Sequence, residues 1–184
     1  MTDEHLATVP NMLEESGPGF LTMSMDSDDY FDVLRAVMRH SEASGKTTIF
    51  VSASMAEHSL RCTMERLEEP MGHVKVIDCV SDMLMSPKSG MSRYVESPRL
   101  LEMVLLEIER ALRASSSEAM IIIDSINALS IHNSKAKTMA LLEALYNRVN
   151  ISDHTLVLLH LGKSDEGISL SELRMISDRI LIVE

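Results

Sequence analysis

Short apolar runs alternate along this chain with stretches whose apolar positions recur every three or four residues. The runs "GFLTMS" (19–24), "TTIFVSA" (47–53), "HVKVIDCV" (73–80), "AMIIIDS" (119–125), "HTLVLLHLG" (154–162) and "RILIVE" (179–184) predict strands, several with β-branched residues on both faces. Between them, residues 28–44 predict a helix with Phe31, Leu34, Val37 and Met38 on one face. Ser54 and Glu57 have the spacing of a capping box and open a helix to about Glu68, ended by Pro70 and Gly72. Ser97 as cap and Pro98 in the first turn start the helix that runs through "RLLEMVLLEIERALRAS". Residues 135–150 and 169–178 predict two more helices. Residues 81–98, with Pro and Gly, read as a loop.

About six strands alternating with about five helices make an α/β protein. Strands apolar on both faces belong to a mainly parallel sheet covered by helices on each side, a three-layer arrangement. The whole chain, 1–184, reads as one domain, with 1–16 expected as a flexible N-terminal segment and 81–98 as a variable loop. No apolar run reaches the length of a membrane span. The acidic start "MTDEHLATVPNMLEE" is unlike a signal peptide, so a cytoplasmic location is expected.

Charge narrows the partners. Seventeen basic residues are scattered among 28 acidic ones, for a net charge of −11. A general nucleic-acid binder needs clustered cations to displace counterions from phosphate, so no direct nucleic-acid partner and no membrane is expected. Cys62 and Cys79 lack metal-ligand spacing and read as reduced thiols. Fifteen methionines suit a loosely filled core or an adaptable protein interface.

Two stretches raise the question of phosphate chemistry. "SGKT" (44–47) contains the three residues that end a P-loop, but a helix precedes it and a strand follows, the reverse of the order that aims a helix N-terminus at phosphate. Gly45 is expected as a helix C-cap and Lys46 as a solvated side chain. A P-loop belongs after the first strand, at "MDSDDYFD" (25–32). That segment has no glycine or lysine and carries Asp26, Asp28, Asp29 and Asp32. Such acids suit the first turn of a helix, with Ser27 or Asp26 as cap.

With those residues placed, the chain resembles the RecA superfamily, and within it the KaiC-like branch. The likeness rests on "GPGFLTMS", "TTIFVSAS", "RLLEMVLLEIERALRASSSEAMIIIDSINAL", "ALLEALYNRVNISDHTLVLLHLG" and "MISDRILIVE", spanning residues 17–184. The resemblance implies a RecA-like P-loop NTPase fold. It matches the family's Mg²⁺-supporting aspartate to Asp124, with Ser125 beside it, as a vestigial nucleotide-binding pair. The family's loop lysine and threonine fall near Phe31 and Asp32, and its water-orienting glutamates near Ser54 and Met55. Asp124 would then remain as a sheet-end residue capping "SINALS", and Lys163, just past the fifth strand, reads as a solvated surface lysine, with a phosphate-directed lysine as the alternative. The reading is of a catalytically inactive ATPase homologue with no catalytic residues and no expected cofactor, acting through protein partners: itself in a ring, or a related ATPase subunit.

Two alternatives stay open. "LTMSMDSDD" also resembles the first motif of haloacid-dehalogenase phosphatases, with Asp26 as nucleophile, Asp28 as general acid and Asp124 helping to hold Mg²⁺. Asp26, Asp28 and Asp124 could also hold a metal, with nucleotide and without hydrolysis, at the C-terminal edge of the sheet. Met83, Leu84, Met85 and Met91 with Arg93 and Tyr94 make the 81–98 loop a candidate partner surface or a flap over the core.

Overall fold

The computed structural model describes residues 3–69, 71–90, 92–162 and 167–183. In chain order the elements are α1 (Asp3–Ser16), β1 (Gly19–Met25), α2 (Tyr30–Ala43), β2 (Thr47–Ser52), α3 (Glu57–Arg66), β3 (Lys75–Asp78), α4 (Ser81–Leu84), β4 (Arg93–Tyr94), α5 (Leu101–Arg113), β5 (Ala119–Asp124), α6 (Ile126–His132), α7 (Lys135–Asn150), β6 (Thr155–Leu161), α8 (Leu170–Leu173) and β7 (Arg179–Ile182). The strands form one sheet in the order β4-β3-β2-β5-β6-β1-β7, and every pairing is parallel.

The period of two along each strand divides the core into two layers. In β5, Ile121 and Ile123 face α5, α6 and α7, where they meet Val104, Ile108, Leu129, Leu142 and Leu145. Met120 and Ile122 face the other side and pack with Val9 and Leu13 of α1, Leu34 and Val37 of α2, and Leu60 and Met64 of α3. Both faces of the central strands are covered, which is why those strands read as continuous apolar runs.

The structure adds and corrects elements. Among the described residues there are seven strands, because two residues of the 81–98 stretch, Arg93 and Tyr94, pair with Ile77 and Asp78. Residues 3–16, where no element was expected, form α1, with Pro10 inside it. Its polar sequence becomes helical by laying Val9 and Leu13 on the core. The helix after β2 starts later than its capping box suggested. Ala56 occupies the cap position without a side-chain bond, and the Glu57 N–H is instead met by the Asp78 carboxylate at 2.6 Å. Ser97 and Pro98 make a turn before α5 rather than its first residues: Ser97 Oγ accepts from the Arg99 N–H at 3.2 Å, and Leu100 takes the cap position. Neither Ser27 nor Asp26 caps the helix after β1; a 3₁₀ turn, Ser27–Asp29, leads into α2 and its cap Asp26 makes no side-chain bond to it.

Gly45 ends α2 with φ +68°, as a C-cap glycine should. Lys46 is not solvated. Its side chain is 17% exposed, its ammonium donates to Thr155 Oγ1 at 3.0 Å, and Glu118 lies at 3.8 Å. The turn delivers this lysine beneath the first residue of β6, and burial follows from that position.

Gly19 opens β1 with φ +138°, and a Cβ there would sit 2.7 Å from Asp178 Oδ2. That same oxygen accepts the Phe20 N–H at 2.8 Å, so it cannot step aside without orphaning a buried donor. Gly19→Ala should cost about 2 kcal/mol or more from backbone strain and the lost bond. Chemical denaturation checks this; a midpoint equal to that of the parent chain refutes the account.

Candidate functional site

In an open parallel sheet, ligands bind outside the strand C-termini where the strand order reverses. Here the chain goes outward from β2 to β3 and β4, returns to β5 and continues the other way to β6. The reversal places the ends of β2 and β5 side by side. Ser52 is in register with Asp124, and the Ala53 N–H donates to the Asp124 carbonyl at 2.6 Å.

Asp124 closes β5 and is 1% exposed. Ser54 donates its hydroxyl to Asp124 Oδ2 at 2.6 Å. The Tyr30 side chain, from the start of α2, approaches the same carboxylate. Its hydroxyl and Asp124 Oδ1 are both buried, and neither completes a well-formed hydrogen bond among the described residues. Burial pushes the Asp124 carboxyl up to about 6, only partly opposed by the Ser54 and Tyr30 hydroxyls. Burial, and then the Asp124 charge, raise the Tyr30 phenol well above its ordinary range. The Tyr30 ring packs edge-on against Phe31, with centroids 4.8 Å apart. The Asp124–Ser125 peptide is cis. Ser125, not Asp124, caps the following segment: its hydroxyl accepts the Ala128 N–H at 3.3 Å and starts α6.

A second polar centre lies one strand farther out. Asp78, fully buried at the end of β3, accepts the Val80 and Ser81 N–H groups, the Ser81 hydroxyl and the Glu57 N–H, all within 2.8 Å. It thereby fixes the start of both α3 and α4. The Glu57 side chain is 1% exposed and pairs with Arg61 Nε at 2.6 Å. It also accepts the hydroxyls of Ser89, Ser92 and Tyr94. Burial opposes its charge, but the bonds from Ser92, Tyr94, Arg61 and Ser89 outweigh burial and hold it at about 2. Arg61 in turn donates to the Met71 carbonyl, so one carboxylate ties the segment around 89–94 to α3.

The acidic stretch after β1 is laid out separately. Asp28 is exposed in the 3₁₀ turn, Asp26 is half-buried before it, and Asp32 pairs with Arg35 at 3.3 Å. Among the described residues no three Asp, Glu, His or Cys side chains converge as a metal site requires, so Asp26, Asp28 and Asp124 are not brought together as one. Lys163 lies outside the described residues. Cys79 is buried, and burial followed by the Asp78 charge pushes its thiol up to about 12. Among the described residues no helix is long and apolar enough to cross a membrane.

Sequence reasoning missed Tyr30, Asp78 and Glu57. The signal for the first two was faint: an aromatic opening an acidic helix, and an acid ending a buried strand. Glu57 reads in the sequence as part of a cap; the hydroxyls it accepts lie 32 to 37 positions on.

No protein-family model matches the sequence, and no curated protein matches it as a relative. Solved structures do resemble it. A KaiC-like protein from the hyperthermophilic archaeon Pyrococcus horikoshii OT3 superposes with a TM-score of 0.66 at 14% identity, over 90% of this chain and 71% of that one. An uncharacterized protein from Pyrococcus horikoshii, solved in complex with an unknown peptide, gives 0.61 at 11% identity, over 91% of this chain and 78% of that one. At such identities the likeness is one of fold: the chain is a three-layer α/β domain with a parallel seven-stranded sheet, of the RecA-like kind that KaiC-like proteins share.

Proposed function

We propose that this chain is a RecA/KaiC-like domain that no longer hydrolyses nucleotide and works by holding other proteins, in assembly with itself or with a related ATPase subunit. The observation that carries this reading is the enclosure of Asp124. The carboxylate that would support Mg²⁺ in an active relative is 1% exposed, takes a hydrogen bond from Ser54 and is approached by Tyr30. A second argument comes from the strand–helix junction, where residues 25–32 hold Asp26, Asp28, Asp29 and Asp32 and no glycine or lysine. Two unit charges about 4 Å apart repel by roughly 1 kcal/mol in water and about 4 at an effective dielectric of 20. Acids at this junction therefore oppose a triphosphate where a P-loop would attract one.

The interaction half of the reading is supported by apolar side chains left on the surface. Leu84 is 60% and Met85 93% exposed, beside Met83 of the same turn, and Leu100, Met103 and Leu106 are exposed along α5. Exposed Met and Leu at this density suit an adaptable contact. The relative solved with a peptide is an instance of this fold in contact with another chain.

A melt with and without about 1 mM Mg·ATP tests the first half, since a ligand specific for the folded state stabilises it by RT ln(1 + [L]/Kd). No shift is expected with Mg·ATP or with Mg²⁺ alone. An upward shift together with ATP turnover lost in Asp124→Ala would overturn the reading. Light scattering tests the second half: self-association weakened by Met85→Glu is the expected result for the homomeric form.

A further inference from the structure

A cavity of about 460 Å³ opens at the far end of the sheet from Asp124, under the strand N-termini. It lies between the end of α1, the end of α2 and the first residues of β5 and β6. We propose that it is a binding site for a free amino acid with an aliphatic side chain, its carboxylate on Lys46 and its ammonium on Glu14. The site is independent of the nucleotide question and goes beyond the reading above.

Polar groups in the cavity wall are sorted by charge. Lys46 lines it, with most of its side chain buried. Among the described residues the ammonium gives one hydrogen bond to a neutral hydroxyl, Thr155 Oγ1 at 3.0 Å, and has one loose carboxylate neighbour, Glu118 at 3.8 Å and more than half exposed. That bond leaves the ammonium with N–H groups to spare, and a ligand carboxylate would supply a charged acceptor for them. Glu14, near the end of α1, lines the same cavity and is exposed. His40 lines it too and is within reach of both charges: burial and then Lys46 lower its pKa, while Glu14 acts the other way. Its imidazole is therefore neutral near pH 7 and adds no net charge.

Lys46 and Glu14, with Glu118 beside the lysine, select against dianions, which the carboxylates repel, and against simple amines, which Lys46 repels. A zwitterion satisfies both. Leu13, Pro18, Ala43 and Met120 give the wall an apolar part that suits a hydrocarbon side chain, beside the hydroxyls of Ser44 and Thr155. The volume falls within the range of small-molecule pockets, about 300 to 1,000 Å³. Because the wall is shared between α1 and α2, an occupant would fasten the first helix to the rest of the domain.

The test is an NMR titration of the His40 imidazole signals, assigned through His40→Gln, with L-leucine, isovalerate and isopentylamine. These probes share a branched hydrocarbon body and differ in charge. Leucine should shift the signals saturably below about 10 mM, and each single-charge probe should bind at least about tenfold more weakly. Lys46→Met and Glu14→Gln should each weaken leucine by about tenfold or more. If Lys46→Met fails to fold for want of its Thr155 bond, Glu14→Gln, at an exposed position, decides the matter. The proposal falls if leucine gives no saturable shift, if isovalerate binds as well as leucine, or if Glu14→Gln leaves leucine binding unchanged.

Discussion

Asp124→Asn should stabilise the protein above pH 6. In most proteins, removing a charge from the end of a central strand is neutral or harmful. Here the folded chain raises this carboxyl from 3.8 to about 6, chiefly through burial. A raised carboxyl means that the folded state holds the proton more tightly than the unfolded state does. Its stabilising contribution is complete below the unfolded value near 3.8 and is lost as pH rises to about 6. Above pH 6 the folded protein carries a buried anion at a cost of about 3 kcal/mol, by the equivalence of 1.36 kcal/mol per unit. Asparagine keeps an acceptor for the Ser54 hydroxyl and gains N–H donors that the Tyr30 oxygen can accept. The expected gain is about 1 to 3 kcal/mol at pH 8, or several degrees in Tm for a chain of this size. The gain should vanish near pH 4. Melts at both values decide it. A variant destabilised at pH 8 would mean that the anion is matched by a partner, and that this pocket was built to keep it charged.

Glu57→Ala should be the most damaging single change outside the hydrophobic core. Removing one member of a buried, hydrogen-bonded ion pair costs about 3 to 5 kcal/mol, because the remaining charge and donors lose their partner. Among the described residues Arg61 keeps only the Met71 carbonyl, and the hydroxyls of Ser89, Ser92 and Tyr94 lose the carboxylate they share, Tyr94 retaining the Ser89 carbonyl at 3.1 Å. A local effect should accompany the global one, with faster tryptic cleavage at Lys88 and Arg93. The acid limb should change as well. Glu57 is held at about 2 against an ordinary 4.5, so the stability it contributes is present above 4.5 and is lost as pH falls towards 2. That part of the wild-type profile should be missing from the variant. A loss under about 1 kcal/mol with unchanged proteolysis would show the segment to be held by other contacts.

Local signals in the sequence carried most of the architecture. Residues 135–150 read as a helix and form α7 over those bounds, with Leu141, Leu142, Leu145 and Val149 buried along one face. Strands such as 119–124 were legible because both faces are buried. Elements held by distant contacts were not. Residues 93 and 94 are a strand only because Ile77 and Asp78 lie beside them, and α1 exists on the strength of Val9 and Leu13 meeting the α2 face of the core. The same distinction governs the site. Asp124 could be picked out from its four preceding apolar residues, whereas its enclosure depends on Ser54, 70 positions earlier, and on Tyr30. Ser54 and Glu57 had the spacing of a cap, yet their side chains go elsewhere, because Asp124, Asp78 and the 89–94 segment offer stronger partners than a helix N-terminus does.

The strand order also dictates a history. Strand β1 has β6 on one side and β7 on the other, and both follow it in the sequence by about 130 residues or more. As the chain leaves the ribosome at about 5 to 20 residues per second, β1 emerges and then waits about 130 residues for its first neighbour. For on the order of ten seconds the run Gly19–Met25, apolar and unpaired on both edges, has no native place to go. A nascent chain stopped before Leu161 should therefore be a client for chaperones however complete its other half is. Losing residues 155–182 would remove both partners of the strand at 19–25.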